Sequence, residues 1–245
     1  MLSNRHNWQA LPRALWVFSN PVEIFWHVLR GTCPPSIKLR SPTGPVMISL
    51  RNNESLKTCF SIFAREDYRT PAKESWAVLD IGANIGIAAL YFLSRNRSNR
   101  VQCFEPDQAN LEFLRRNIGR FAARVEIVEK AVAPSGGTGT LYRAIDGKHS
   151  SLLREVAVSN GFDSETDAEL ISFDGLLREA VKGQASLLVK MDVEGIEADL
   201  VRSVDFLNYP KVRRVLIEST VCSALIARPH QRTLRAGSIE DIRFA

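Results

Sequence analysis

The chain has 245 residues, 45% of them hydrophobic and 24% charged, which is the make-up of a soluble globular protein able to bury a real core. Its net charge of +5 comes without a basic run carrying interleaved aromatics, so it falls short of a nucleic-acid footprint. Four scattered cysteines form no CxxC pair, which argues against a zinc site and for thiols in a reducing, cytoplasmic compartment.

Leu15 to Leu29 is an apolar stretch broken by Asn20-Pro21 and Glu23, too short to span a bilayer and without a signal-peptide cleavage site. Trp8, Trp16, Phe18, Phe25 and Trp26 would suit a membrane interface, but a helical arm packed on the main domain or on a dimer partner is the expected reading. Ile37 to Arg40 and Val46 to Leu50 flank a Ser-Pro-Thr-Gly-Pro turn and read as a hairpin. Asn53 or Ser55 is placed to cap a helix reaching about Ala64, with Leu56, Phe60 and Phe63 on one face. Residues 1–70 form this arm and entry segment, and 71–245 the main domain.

Val78 to Asp80 reads as the end of a buried strand. Gly82, Asn84 and Gly86 make a tight turn, and Ile87, Leu90 and Tyr91 return at helical spacing. Strand, glycine turn and helix make the nucleotide-handling corner of an open α/β sheet. A dinucleotide fingerprint needs glycine where Asn84 and Ile87 stand, which argues against NAD. Asp80-x-Gly82-x-Asn84-x-Gly86 instead matches the first motif of S-adenosylmethionine-dependent methyltransferases. There the Asp80 carboxylate would take the ligand's ammonium, directly or through water, and turn N–H groups its carboxylate.

Val101 to Phe104 is a second strand ending in Glu105, nineteen residues after Gly86 and placed to accept hydrogen bonds from ribose hydroxyls. Asp107 caps a helix through Leu111, Leu114 and Ile118 that Gly119 closes. Val125 to Ala131 is a third strand, and Thr140 to Arg143 begins an extra one. Residues from about Asp146 to Ala168 read as a polar, irregular loop where a substrate lid would sit. An amphipathic helix follows through Leu176, Leu177 and Val181.

Leu187 to Met191 is a buried strand interrupted by Lys190; Asp192 and Glu194 stand at its end, and Glu197 opens the next helix. Val212 to Ile217 ends likewise in Glu218. Asp80, Glu105, Asp192 and Glu218 thus share one edge of the inferred sheet. Acids placed together repel and resist desolvation, so four of them point to a site.

The ordered set LDIGANIG, FEP, the Ala131 strand, ISFDGLL and KMDVEGIE resembles the FkbM family of S-adenosylmethionine-dependent methyltransferases, over roughly Ile37 to Glu218. The resemblance implies an α/β fold with a Rossmann-like methyltransferase sheet, and O-methylation of sugar or polyketide hydroxyls. Within the family, length and layout are also similar to enzymes that 2-O-methylate fucose on lipo-chitooligosaccharide nodulation signals. It places Asp80, Gly82, Asn84 and Gly86 at the methionine end of S-adenosylmethionine, Glu105 at the ribose, Glu129 to Ala131 near the adenine, and Asp192 and Glu194 at the reacting centre. The expected partner is a small-molecule, glycolipid or oligosaccharide acceptor. Only twenty-seven residues follow Glu218, so the family's last hairpin is expected to be shortened, completed by another chain, or missing.

A hydroxyl is a poor nucleophile until its proton leaves, so a general base is needed. Asp192 or Glu194 is the first candidate and His149 the second. Alternatively, Asp192, Glu194 and Glu218 would hold a Mg²⁺ ion against the substrate oxygens. A third reading is a catalytically inactive protein of the same fold.

Overall fold

The computed structural model describes residues 9–180, 182–183, 186–219, 221–234 and 239–244; Trp8, Val181 and Arg235 to Ser238 lie outside them. The N-terminal part comprises α1 (Leu11–Val17), α2 (Pro21–Arg30), the hairpin β1 (Ser36–Leu39) and β2 (Val46–Ser49), and α3 (Asn53–Cys59). Helix α3 runs on through a wider π turn, Phe60–Ala64. Then come β3 (Ala77–Ile81), α4 (Ile87–Arg95), β4 (Arg100–Phe104), α5 (Gln108–Ile118) and β5 (Val125–Val128). A smaller unit follows: β6 (Ala131–Ala133), β7 (Gly137–Ala144), α6 (Arg154–Ser159) and β8 (Phe162–Ser172). The chain continues with α7 (Phe173–Ala180), β9 (Leu187–Met191), α8 (Glu197–Arg202), β10 (Val212–Glu218), β11 (His230–Leu234) and β12 (Ile239–Phe244).

Seven strands form the central sheet in the order β11-β12-β10-β9-β3-β4-β5. Strands β3, β4, β5, β9 and β10 are parallel, whereas β12 runs antiparallel to β10 and β11. From β3 the chain winds outward through β4 and β5, then returns to β9 on the other side. The order therefore reverses between β3 and β9, and the crevice above their carboxyl ends is where such sheets bind ligands. Both faces of the sheet's centre are covered, so β3 and β9 are buried almost throughout, with Asp80 and Lys190 their only charged residues. Val78, Leu188 and Leu216 join one core with α4, α5 and the N-terminal part, including Phe18, Leu39, Ile48 and Phe63. Leu79, Ile81, Val189 and Val215 join the other, with Phe173 and Leu177 of α7 and Leu200 of α8.

Several elements differ from the sequence expectation. The cap of α3 is Asn52, one residue before the predicted Asn53; its side chain accepts from the Ser55 N–H at 3.1 Å. Asp107 caps α5 as expected, but Gly119 has φ −50° and passes the chain into a 3₁₀ turn rather than closing the helix. The predicted strand Val125 to Ala131 is two strands. It leaves the central sheet after Val128, and Ala131 pairs with Leu170 in a separate three-stranded sheet, β6-β8-β7. The stretch read as a loop from Asp146 to Ala168 contains α6 and most of β8. Only Ala168 of β8 is buried, so the strand never needed the apolar alternation that reveals a half-buried one.

The C-terminal hairpin is present and completes the sheet. Among the described residues the connection before it contains one 3₁₀ turn, Cys222–Leu225. Buried Arg214 of β10 donates to both Asp241 oxygens on β12 (2.8 and 3.0 Å), and to the Arg69 carbonyl at 2.7 Å. Glu240 accepts from the Ser223 N–H and hydroxyl at 2.8 and 2.9 Å. The polarity that hid these strands is consumed inside the fold.

Candidate active site

The crevice between β3 and β9 has two lobes that share Gly82, Asn84, Lys148, Asp192 and Glu194. The first extends to α3, over Arg51, Asn52, Glu54, Ser55 and Thr58. The second runs under β4 and β6, past Glu105, Asn110, Ala131, Val132 and Leu152. As folded, they enclose only about 50 and 60 Å³.

Gly82 has φ +75°, and a Cβ there would lie 2.0 Å from the Asp192 carbonyl oxygen. Gly86 has φ +85°, and its Cβ would meet Leu114 Cδ1 at 2.6 Å. Both glycines are thus required by packing, of the turn on β9 and of α4 on α5, besides the left-handed backbone. Asn84 holds φ +50°, which asparagine tolerates. The turn's own N–H groups are engaged: those of Gly82 and Ala83 donate to the Phe104 carbonyl, Asn84 to Glu105, Ile85 to Asn84 Oδ1 and Gly86 to the Ala83 carbonyl. The expectation that they receive a ligand carboxylate is therefore corrected.

Asp80 is fully buried and lines neither lobe. It pairs in register with Lys190 on the neighbouring strand, so both side chains leave the same face, and Lys190 Nζ stands 3.1 Å from Asp80 Oδ1. Burial pushes the Asp80 pKa above the usual carboxylate range, although Lys190 opposes the rise. Lys190 reaches the crevice in its place, donating to the Gly82 carbonyl at 2.7 Å and lying 3.8 Å from Asp192 Oδ2. Asp80 thus acts on the site through Lys190 and has no direct access to a ligand ammonium.

Glu105 lines the second lobe, but it also organises the turn. Its carboxylate accepts from the N–H groups of Asn84 (2.7 Å) and Asp107 (3.0 Å) and from Asn110 Nδ2 (3.3 Å). Burial outweighs these bonds and lifts its pKa to about 7. Ala131 is at the far wall of this lobe; Glu129 lies outside it, exposed and paired with Arg115.

Asp192 and Glu194 part company. Burial would raise Asp192, but the Lys190 charge, a hydrogen bond with the Glu218 carboxyl and Lys148 bring it below its ordinary value. Glu194 is raised to about 7 by burial and by the Asp192 charge. Its backbone is left-handed (φ +57°), held by Ser151 Oγ donating to its carbonyl at 2.7 Å and by Glu197, which accepts from the N–H groups of Val193 and Gly195 at 2.9 Å each.

His149 is not in the crevice. Its Nδ1 is paired with Asp146 Oδ2 at 2.5 Å, and it lines neither lobe. Its neighbour Lys148, which sequence reasoning missed, lines both. Burial works against its charge, yet Asp192, Glu218, Glu194 and Glu54 raise its pKa overall. Three asparagines fix the loop that carries it: Asn52 donates to the Asp146 carbonyl, and Asn84 and Asn110 to that of Gly147 (2.8, 3.1 and 3.0 Å). A lone lysine in a polar stretch gives no periodic signal; the glycine before it, at φ +65°, was the only local hint.

Carboxylate oxygens of Asp192, Glu194 and Glu218 lie within 4.8 Å of one another, the spacing of a cation site. Two ammonium groups already serve that charge, Lys148 among the three and Lys190 beside Asp192. The donor set does not fit a resident Mg²⁺, and no step is derived through one.

A family model described as the methyltransferase FkbM domain matches residues 80–221, more than half of the chain and all of the crevice floor. The chain belongs to the FkbM methyltransferase family. Among curated proteins it is 26% identical over 213 residues to the AMB antimetabolite synthetase AmbE of Pseudomonas aeruginosa, covering 72% of this chain and 10% of that protein. It is 24% identical to the 31-O-demethyl-FK506 methyltransferase FkbM of Streptomyces tacrolimicus, covering 74% and 80%. This chain therefore spans only a tenth of the first relative's length. A crystal structure of methyltransferase FkbM from Methylobacillus flagellatus KT aligns over 78% of this chain and 52% of its own, with 15% identity and TM-score 0.49.

The crevice residues fit S-adenosylmethionine in chemistry. Glu105 faces one lobe with acceptor oxygens for ribose hydroxyls, Val132 and Leu152 offer apolar cover for an adenine, and the shared centre holds both signs of charge.

Proposed function

We propose that this FkbM-family chain is an S-adenosylmethionine-dependent O-methyltransferase and that its acceptor is a sugar hydroxyl. S-adenosylmethionine, when bound, supplies a methyl group activated by its sulfonium. The lobe bearing Glu105 would take the adenosine, and Lys148 and Asp192 would face the carboxylate and ammonium of the methionine end. The first lobe would take the acceptor. Its wall of Arg51, Asn52, Glu54, Ser55 and Thr58 is polar, which favours a polyhydroxylated ligand over an apolar polyketide. The 2-hydroxyl of a fucose on a lipo-chitooligosaccharide is one acceptor of that class.

The observation that carries this reading is the placement of two carboxyls, Asp192 and Glu194, where the two lobes meet, with Lys190 Nζ 3.8 Å from Asp192 only. A pair of acids pushed apart in pKa is a division of labour. Asp192, held ionised by Lys190, is suited to bind charge. Glu194, at about 7, is suited to take a proton near neutral pH. Glu194 would accept the acceptor's hydroxyl proton, and the bound cofactor would supply the methyl group to that oxygen and leave as the neutral thioether. Alignment of the reacting atoms by the two lobes supplies much of the rest of the acceleration.

The test is methyl transfer from a labelled methyl donor to a panel of free and fucosylated oligosaccharides and to apolar hydroxyl compounds. Label on sugar acceptors, reduced ~10²–10⁴-fold in Glu194→Gln, is expected. Label only on apolar acceptors would remove the sugar assignment. Full turnover in Glu194→Gln would remove the base.

A further inference from the structure

Helix α1 packs on the main domain through Ala14 and Val17, as an arm should, but α1 and α2 have an apolar face that no other described residue covers. The outward positions of α2 are Val22, Phe25, Trp26 and Leu29, at i, i+3, i+4 and i+7. The stripe that a globular helix turns to its core is here turned to solvent. Val22 is 80% exposed, Phe25 52% and Leu29 57%, and Leu15 and Trp16 of α1 continue the patch. Beside it, an entirely apolar groove of about 300 Å³ opens between the two helices, floored by Leu56 and Phe60 of α3 and its π turn.

Cations border this face. The Arg30 guanidinium lies 4.4 Å from the centre of the Trp26 ring, and Arg40 donates to the Trp16 carbonyl at 2.6 Å. Lys38 is exposed on the adjoining strand β1. Glu23 is the one carboxylate on α1 and α2, and Asn20 donates to it at 3.0 Å. A second copy docked on the same face would set two groups of cations against each other. An anionic surface would neutralise them. Among the described residues no helix is long and apolar enough to cross a membrane, so contact would be interfacial.

We propose that this face docks on an anionic lipid bilayer. Val22, Phe25, Trp26 and Leu29 enter the boundary between headgroups and acyl chains, and Arg30, Lys38 and Arg40 meet the phosphates. Trp16 and Trp26 have the amphipathic rings that settle at such a boundary. Helix α3 has Leu56 under the groove and Ser55 and Thr58 in the crevice, so docking holds the crevice about one helix diameter, ~10 Å, from the lipid.

Co-sedimentation of the full chain with phosphatidylcholine vesicles, and with vesicles that also contain phosphatidylglycerol, tests this. The expected result is partition onto the anionic vesicles that weakens with salt and falls roughly tenfold or more in Phe25→Asp/Trp26→Asp. Both residues are exposed, so the variant's circular dichroism and thermal midpoint should match the parent's. Arg30→Glu/Lys38→Glu should also weaken partition onto anionic vesicles. No partition of the parent chain, or equal partition of parent and apolar variant, would overturn the proposal. So would light scattering that shows a dimer dissolved by the apolar variant without vesicle binding.

Discussion

Gly82 and Lys190 show how closely the turn and β9 depend on each other. Gly82→Ala places a Cβ 2.0 Å from the Asp192 carbonyl oxygen, with the backbone at φ +75°. A loss of at least ~2 kcal/mol in urea denaturation is expected, because both the clash and the strain must be relieved. Lys190→Met leaves Asp80 buried without its ammonium, at an expected cost of ~3–5 kcal/mol. The sign with pH follows from Asp80's raised pKa: its acid form is the one the fold prefers. Stability should therefore fall as pH rises through that folded pKa, and the Lys190→Met deficit should be smaller at acid than at alkaline pH. A deficit that does not vary with pH would contradict the pairing. The proposed role of Glu194 as base requires it to be ionised, so kcat/KM should climb about tenfold per pH unit below about 7, then level off. Glu194→Gln should lose that limb. At this scale the sequence was legible where backbone geometry dictates residue type, as at Gly82, Asn84 and Gly86. It was not legible where a side chain's exposure decides: Asp80 proved buried, and Lys148, not His149, enters the crevice.

The elements that position the site follow from ordinary signals, a strand and a turn that opens a helix, repeated from β3 to β5, with Asp107 capping the second helix. Where an element carries no such signal, a partner supplies its stability. β8 gains its place by pairing with β7 and buries only Ala168, so its sequence reads as a polar loop. The C-terminal strands look polar because Asp241 satisfies Arg214, which also reaches the Arg69 carbonyl of the entry segment, and Glu240 satisfies Ser223. Asp241→Leu should accordingly cost ~3–5 kcal/mol in urea denaturation, since it strands buried Arg214, and Arg214→Met/Asp241→Leu should recover much of that loss. The loop carrying Lys148 is the element expected to move. Three asparagine amides hold it over the crevice that would take the proposed ligand. Asn110→Ala should speed amide exchange at residues 146–152 in the free chain. S-adenosylmethionine should restore protection there.

For the whole molecule, the reversal of strand order between β3 and β9 does more than any residue to decide where chemistry occurs. It brings turns from distant parts of the chain to one crevice; the strand-end acids in the sequence pointed to the edge of the sheet where that crevice lies, and the strand order came from the fold. What the pattern could not convey is that the N-terminal part joins the same core as α4 and α5 while leaving its outer face apolar. A ligand that binds only the folded chain stabilises it by RT ln(1 + [L]/Kd), so saturating S-adenosylmethionine at a hundred times Kd should add ~2.7 kcal/mol. The most direct test of the central claim is calorimetric titration of the intact chain with S-adenosylmethionine and, separately, with NAD. The account predicts micromolar binding of the first and none of the second. A folded chain that binds neither, or binds NAD alone, would contradict it.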